Sequence, residues 1–94
     1  ILEKDRMSTW ETNRLETILR SKGVTTIINT GDWTNMAVEH TARTGADRGY
    51  HIVVPEDATA TMNAEWQAAS INFALQNVAT ITTTEKLLTE LGDM

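Results

Sequence analysis

One junction constrains this chain more than any other feature. Val24-Thr25-Thr26-Ile27-Ile28-Asn29 is an uncharged run rich in branched side chains; it stops at Gly31, and a helical pattern starts within Asp32-Trp33-Thr34-Asn35-Met36-Ala37-Val38-Glu39. Branched residues pack well on a pleated surface, so the run reads as a strand, and the glycine supplies the turn. A strand without charge suits coverage on both faces and hence a central place in a parallel sheet. In such a sheet the strand's carboxyl end and the first free N–H groups of the next helix face one crevice, where ligands bind. No Ser, Cys or His stands where this turn would present a nucleophile. Ala37 stands there instead.

The rest of the chain alternates in the same way. Ile1-Leu2-Glu3 reads as the tail of a strand, and Ser8-Thr9-Trp10-Glu11 has the spacing of a capping box. A helix is expected from there to about Lys22, with Leu15, Ile18 and Leu19 inward and Gly23 as its left-handed stop. In the helix over 36–48, Val38, Thr41, Ala42, Gly45 and Ala46 fall on one stripe of small volume. Such a stripe lets the helix axis lie close to the sheet. Gly49 ends that helix, and Tyr50-His51-Ile52-Val53-Val54-Pro55 is the next strand, stopped by a proline that has no N–H for the ladder. A polar loop over 56–61 leads to a long helix, about 63–76, with Ala64, Ala68, Ile71 and Leu75 inward. A short strand over 78–82, a cap around Thr82-Thr83-Thr84-Glu85 and a helix through Leu87, Leu88 and Leu91 complete the pattern.

Connections too long for hairpins make this an α/β chain with a parallel, doubly wound, Rossmann-like sheet in the order β-α-β-α-β-α-β-α. The run 24–29 then poses a problem. It should be central, yet few strands are available to flank it, and an exposed apolar edge of that kind aggregates. An upstream half of the same domain, or a partner chain, is expected to cover it.

Composition narrows the partners. A net charge of −5 with no Lys/Arg cluster argues against nucleic acid or an anionic membrane surface. No apolar run approaches the roughly 20 residues that span a bilayer, and the first residues do not read as a signal peptide, so a soluble, cytoplasmic protein is expected. With no cysteine there is no thiolate metal site, and His40 and His51 lack the spacing of a metal centre. Both histidines read as structural. Thr34 and Asn35 read mainly as helix caps, Asp57 as a residue stabilising its own turn, and Trp66 and Phe73 as core or subunit contacts.

Several blocks in fixed order carry a resemblance. Lys4-x-Arg6, the run ending Thr30-Gly31, Thr34-Asn35-Met36-Ala37-Val38-Glu39-x-Thr41-Ala42-Arg43, Asp47-Arg48-Gly49-Tyr50 and Pro55-Glu56-Asp57-Ala58-Thr59 together resemble the carboxyl-terminal half of the isochorismatase-like cysteine hydrolases. The resemblance covers nearly the whole chain. It implies a six-stranded α/β sheet with an Asp-Lys-Cys triad and no cofactor. The triad aspartate belongs to a first strand not found in these residues, so 1–94 would be the C-terminal part of a single domain. By position, Lys4 matches the triad lysine and Ala37 the cysteine nucleophile. The backbone N–H groups of Trp33 and Ala37 match the oxyanion hole, and a cis peptide would fall at Asp32-Trp33. Trp33, Thr34 and Met36 would line the substrate.

Trp33-Thr34-Asn35-Met36 and Met62-Asn63-Ala64-Glu65-Trp66 are most similar to hydrolases of small carbamoyl and urea-type amides, biuret hydrolases among them. Family members also commonly form homo-oligomers. Ala37 departs from the pattern, and a methyl group performs no nucleophilic step. Three accounts fit it: a Cys→Ala replacement that leaves an amide hydrolase inactive, a naturally cysteine-free isochorismatase-type vinyl ether hydrolase, or a non-catalytic binding or assembly member.

Overall fold

A computed structural model describes residues 6–11 and 14–92. Three strands form one parallel sheet: β1 (Thr26–Ile28), β3 (His51–Pro55) and β5 (Thr80–Thr82), in the order β1-β3-β5. Ile27 stands opposite Ile52, and Val54 opposite Ile81. Two further short strands, β2 (Gly31–Asp32) and β4 (Thr59–Ala60), pair parallel with each other beyond the carboxyl ends of β1 and β3. The sequence pattern gave no sign of this second ladder, because two residues are too few for a period. The parallel α/β architecture is as expected. The strand predicted over 1–3 and the residue Lys4 lie outside the described residues.

The helices are α1 (Leu15–Ser21), α2 (Glu39–Asp47), α3 (Ala64–Ala69) and α4 (Thr84–Gly92). A wide π-turn, Thr34–Val38, leads into α2; α3 continues as a second π-turn, Ser70–Ala74, and a 3₁₀ turn, Leu75–Asn77. Lys22 caps α1, and Gly23 follows with a φ of 68°, in the left-handed region where a residue without Cβ is unstrained. The expected capping box does not start this helix. Ser8 Oγ instead accepts from the Trp10 N–H at 3.3 Å within a turn, and that turn seats Trp10 in the core. The Trp10 indole donates to the Thr41 carbonyl at 3.0 Å and stacks on Tyr50 with ring centroids 5.2 Å apart.

The core is built around β3, whose Ile52, Val53 and Val54 are all buried, together with Val38, Ala42, Ile71, Leu75, Trp10 and Tyr50. Among the described residues the centre of the sheet is therefore β3, not the run 24–29. Among the described residues β1 pairs with β3 alone, and Ile28 is 44% exposed. The small stripe of α2 behaves as predicted: Val38, Thr41, Ala42 and Gly45 are buried and Ala46 half-buried. A Cβ on Gly45 would lie 2.8 Å from Ile52 Cδ1 and 3.1 Å from Trp10 Cζ2, so glycine sets how closely α2 approaches β3.

The inward stripes of the later helices need correction. Ile71 and Leu75 are buried, but Ala64 and Ala68 are exposed, because the π-turn at 70–74 rotates the helix out of α-helical phase. Gln67 and Ser70 take the inward positions. Leu88 and Leu91 of α4 are exposed and only Leu87 is half-buried; Trp66 and Phe73 are likewise exposed rather than core.

Candidate active site

The crevice at the carboxyl end of the sheet is assembled from the end of β1, the turn through β2 and the π-turn before α2. Asn29 extends the ladder one step beyond β1 by donating its N–H to the Val53 carbonyl at 2.9 Å. Its buried side chain donates from Nδ2 to the Val38 carbonyl at 2.8 Å, which ties the strand's end to the last residue of the π-turn. Gly31 follows with a φ of 115°, and the Asp32-Trp33 peptide is cis, at the bond where the family resemblance put it. Trp33 then caps the helical segment with extended backbone and a side chain 46% exposed.

The described residues proposed to act, Trp33 to Ala37, lie within about one turn of chain. Met36 is exposed, Ala37 half-buried, and Thr34 has 0% exposure. The Trp33 carbonyl accepts from Met36 at 3.0 Å and from Val38 at 3.3 Å. An α-helical start would have sent it the Ala37 N–H. The wide turn thus routes that carbonyl past Ala37, whose N–H belongs to the helix's amino-terminal end, where partial positive charge favours an anion. Lys4 is not among the described residues, so the lysine position adds nothing to this geometry.

Thr34 and Asn35 do not cap the helix with their side chains, contrary to expectation. The Thr34 hydroxyl donates to Gln67 Oε1 at 2.5 Å, and the Thr61 hydroxyl donates to Asn35 Oδ1 at 2.6 Å. Gln67 Nε2 in turn donates to Thr59 Oγ1 at 3.0 Å, and the Thr59 hydroxyl to the Glu56 carbonyl at 3.0 Å. These bonds lash the turn to α3 and to the segment after β3. Gln67 was missed in the sequence, although a signal existed: it is the one amide on the stripe Ala64, Gln67, Ala68, Ile71, and an amide turned inward must find partners.

The histidines serve structure. His40 Nδ1 lies 2.7 Å from the Met36 carbonyl, and His51 Nε2 lies 2.9 Å from Thr80 Oγ1. Asp57 does more than stabilise its own turn, where its own backbone N–H is the smallest of its hydrogen-bond contributions. Its Oδ1 accepts from the Thr84 N–H at 2.8 Å and the Thr84 hydroxyl at 2.9 Å, capping α4 across 27 residues. Those bonds, the backbone one foremost, hold its carboxyl below the usual carboxylate range.

Two grooves flank Gln67 rather than the turn itself. One of ≈ 360 Å³ is lined by Glu56, Asp57, Ala64, Gln67, Ala68, Ile71 and Asn72, and one of ≈ 250 Å³ by Thr59, Ala60, Thr61, Asn63, Ala64 and Gln67. Their walls are mostly small side chains, amides and hydroxyls, with two carboxylates, Glu56 and Asp57, of which Asp57 is bonded to α4. The Gly31–Ala37 turn, with backbone donors at a helix start, has the better claim to chemistry.

Residues 1–86 match the family described as the isochorismatase domain. The uncharacterized isochorismatase family protein YecD of Escherichia coli O157:H7 is 38% identical over 77 residues, which are 82% of this chain and 41% of that protein. A ureidoacrylate amidohydrolase, RutB, of Methylobacterium radiotolerans is 42% identical over 59 residues, 63% of this chain and 23% of the relative. In structure, a cysteine hydrolase from Pseudomonas syringae pv. phaseolicola superposes with a TM-score of 0.89 at 28% identity, covering 96% of this chain and 47% of that one. The chain spans less than half the length of each of these relatives. With a match that runs from its first residue through the start of α4, the chain belongs to the isochorismatase family.

Proposed function

We propose that this chain is the C-terminal part of a hydrolase domain for small carbamoyl or urea-type amides, and that Ala37 occupies the position of its nucleophile. The observation that carries the reading is the turn itself: a helix start whose first carbonyl, that of Trp33, bonds to Met36 and Val38 and bypasses Ala37. The similarity to an amidohydrolase named for a ureido substrate favours an amide over the vinyl ether alternative.

A thiolate at position 37 would sit at a helix amino terminus, where its charge is stabilised. It would attack the amide carbonyl carbon, and the carbonyl π pair would move to oxygen, facing the N–H groups of Trp33 and Ala37. Collapse would break the C–N bond as the nitrogen takes a proton and leaves as ammonia or an amine. Water would then cleave the thioester, returning the thiol and a carboxylate. Proton handling falls to the aspartate of an upstream half and to Lys4. Each oxyanion donor in such a site contributes roughly 3 kcal/mol to the transition state. With Ala37 the donors remain and the first bond cannot form, so the chain as it stands binds without turning over. Trp33 and Met36 supply the substrate-facing wall; Thr34, which the resemblance also put there, is wholly buried with its hydroxyl on Gln67 and stands behind that wall. The outward Trp66 and Phe73 fit contact with a second copy of the chain.

Ammonia release from biuret and related ureido amides tests this, comparing the Ala37 form with Ala37→Cys in the full-length protein. The reading expects release with cysteine alone. Equal activity in both forms favours a cysteine-free hydrolase, and none in either form a binding protein.

A further inference from the structure

Two side-chain rungs join the segment carrying Ala37 to α3. Thr34 donates to Gln67 Oε1 at 2.5 Å, and Ser70 Oγ donates to Glu39 Oε1 at 3.2 Å. Gln67 and Ser70 are three residues apart and share a helix face. Thr34 and Glu39 are five apart, a spacing that in an α-helix turns two side chains well away from each other. A turn closed by the bond from the Val38 N–H to the Trp33 carbonyl, five residues back, brings such positions toward one side. The two rungs are therefore matched to the wide turn: α3 holds both ends of it only while it stays wide. The same widening sends the Trp33 carbonyl to Met36 and Val38 and past Ala37.

Gln67 is anchored independently of that turn. Its Nε2 donates to Thr59 Oγ1 at 3.0 Å, and Thr59 stands opposite Gly31 in the β2–β4 ladder. One amide thus connects the residue just after the Asp32-Trp33 bond with the strand that pairs just before it. Thr34 is wholly buried, so the rung is shielded from water, where hydrogen bonds are stronger.

We propose that Gln67 is a positioning residue for the site: acting through Thr34, it keeps the π-turn wide and so holds the Trp33 and Ala37 N–H groups in the geometry a developing oxyanion requires. The catalytic consequence rests on the amide-hydrolase reading; the mechanical one does not. Gln67 itself touches no reacting atom.

Two substitutions in the full-length protein test this. Gln67→Leu ends the bond from Thr34 and the amide's bonds to the Thr59 hydroxyl and to the Glu56 and Thr59 carbonyls, whereas Gln67→Glu keeps the acceptor for Thr34 and gives up only the amide donor. Hydrogen exchange follows the segment 34–39, and steady-state amide hydrolysis is followed in the Ala37→Cys background. Gln67→Leu is expected to speed exchange across 34–39 about tenfold or more while 51–55 is unchanged. It should lower kcat about 10- to 100-fold with KM within about twofold. Gln67→Glu should restore most of both. Unchanged exchange at 34–39, or a kcat loss that Gln67→Glu does not repair, overturns the proposal. Should Gln67→Leu fail to fold, Thr34→Val removes only the rung and leaves the Gln67 amide on Thr59, and it is read by exchange at 34–39 and by kcat. An Ala37→Cys protein without any hydrolysis overturns the amide reading instead, and exchange at 34–39 with its repair by Gln67→Glu then decides the positioning role alone.

Discussion

Gly45 shows how far a single residue was legible. Its place on a stripe with Val38, Thr41 and Ala42 is a matter of helical period, which any sequence displays, and all four are buried. What it meets there is a matter of packing. Replacing it with alanine gains about 1 kcal/mol of helix propensity, but the new Cβ lies 2.8 Å from Ile52 Cδ1, whose own surroundings are buried, and 3.1 Å from the rigid Trp10 ring. Overpacking of this kind costs about 1–3 kcal/mol. Gly45→Ala is therefore expected to destabilise the fold by up to about 2 kcal/mol net, measured by urea unfolding. Thr34 illustrates the opposite case. Its residue type favours capping, yet its hydroxyl goes to Gln67, 33 positions away, and no local pattern encodes that distance. Thr34→Val leaves the half-buried Gln67 oxygen without this donor and should cost about 0.5–1.5 kcal/mol in the same measurement. The Ser8 motif failed for a related reason: serine followed by glutamate three residues later serves a plain turn as well as a helix start, and Trp10 burial chose the turn.

At the scale of elements, the strands and helices follow from punctuation and period, and their faces do not always. Gly23 and Gly49 end helices with φ values of 68° and 94°, and Pro55 is the last residue of β3. The stripe of α3 was misphased because an α-helical period was applied across a π-turn, which shifts every following residue. α4 depends on a residue from another element. Asp57 caps it through Thr84, and its folded-state pKa lies below the ordinary value. Protonation therefore favours release of the helix's first turn. The cap is fully present above the ordinary carboxylate value, about 3.9, and fades as pH falls through the depressed one. Protection from hydrogen exchange over 84–92, corrected for the intrinsic pH dependence of amide exchange, should fall as pH drops below the ordinary carboxylate value. Asp57→Ala should give the low protection at every pH and so remove the dependence. A pH-independent wild-type segment would contradict the assignment.

At the scale of the whole molecule, the described residues form a slab of 37 × 35 × 23 Å with a radius of gyration of 13.2 Å. Among these residues β1 pairs with β3 alone, and apolar side chains turn outward, Phe73 at 76% exposure among them. The uncharged run 24–29 led to the expectation of a strand covered on both sides, and which strand would prove central among the described residues was not signalled. If Trp66 and Phe73 face a second copy, the double change Trp66→Ser with Phe73→Ser should lower the native mass of the full-length protein to that of one chain in analytical ultracentrifugation. An unchanged mass would place the contact elsewhere.

The family, the parallel sheet and the cis turn were all readable from residues near Gly31, while the bonds that hold that turn were not, because they come from Gln67 and Thr59, far along the chain. The account stands on position 37 being where a nucleophile belongs. Its most direct test is the mass of the rapidly quenched full-length protein after mixing with a ureido amide, followed by peptide mapping. In the Ala37→Cys form a single acyl adduct is expected on the peptide containing position 37, with none in the Ala37 form. Hydrolysis by the Ala37→Cys form with the adduct on another residue, or by both forms with no adduct, would contradict it.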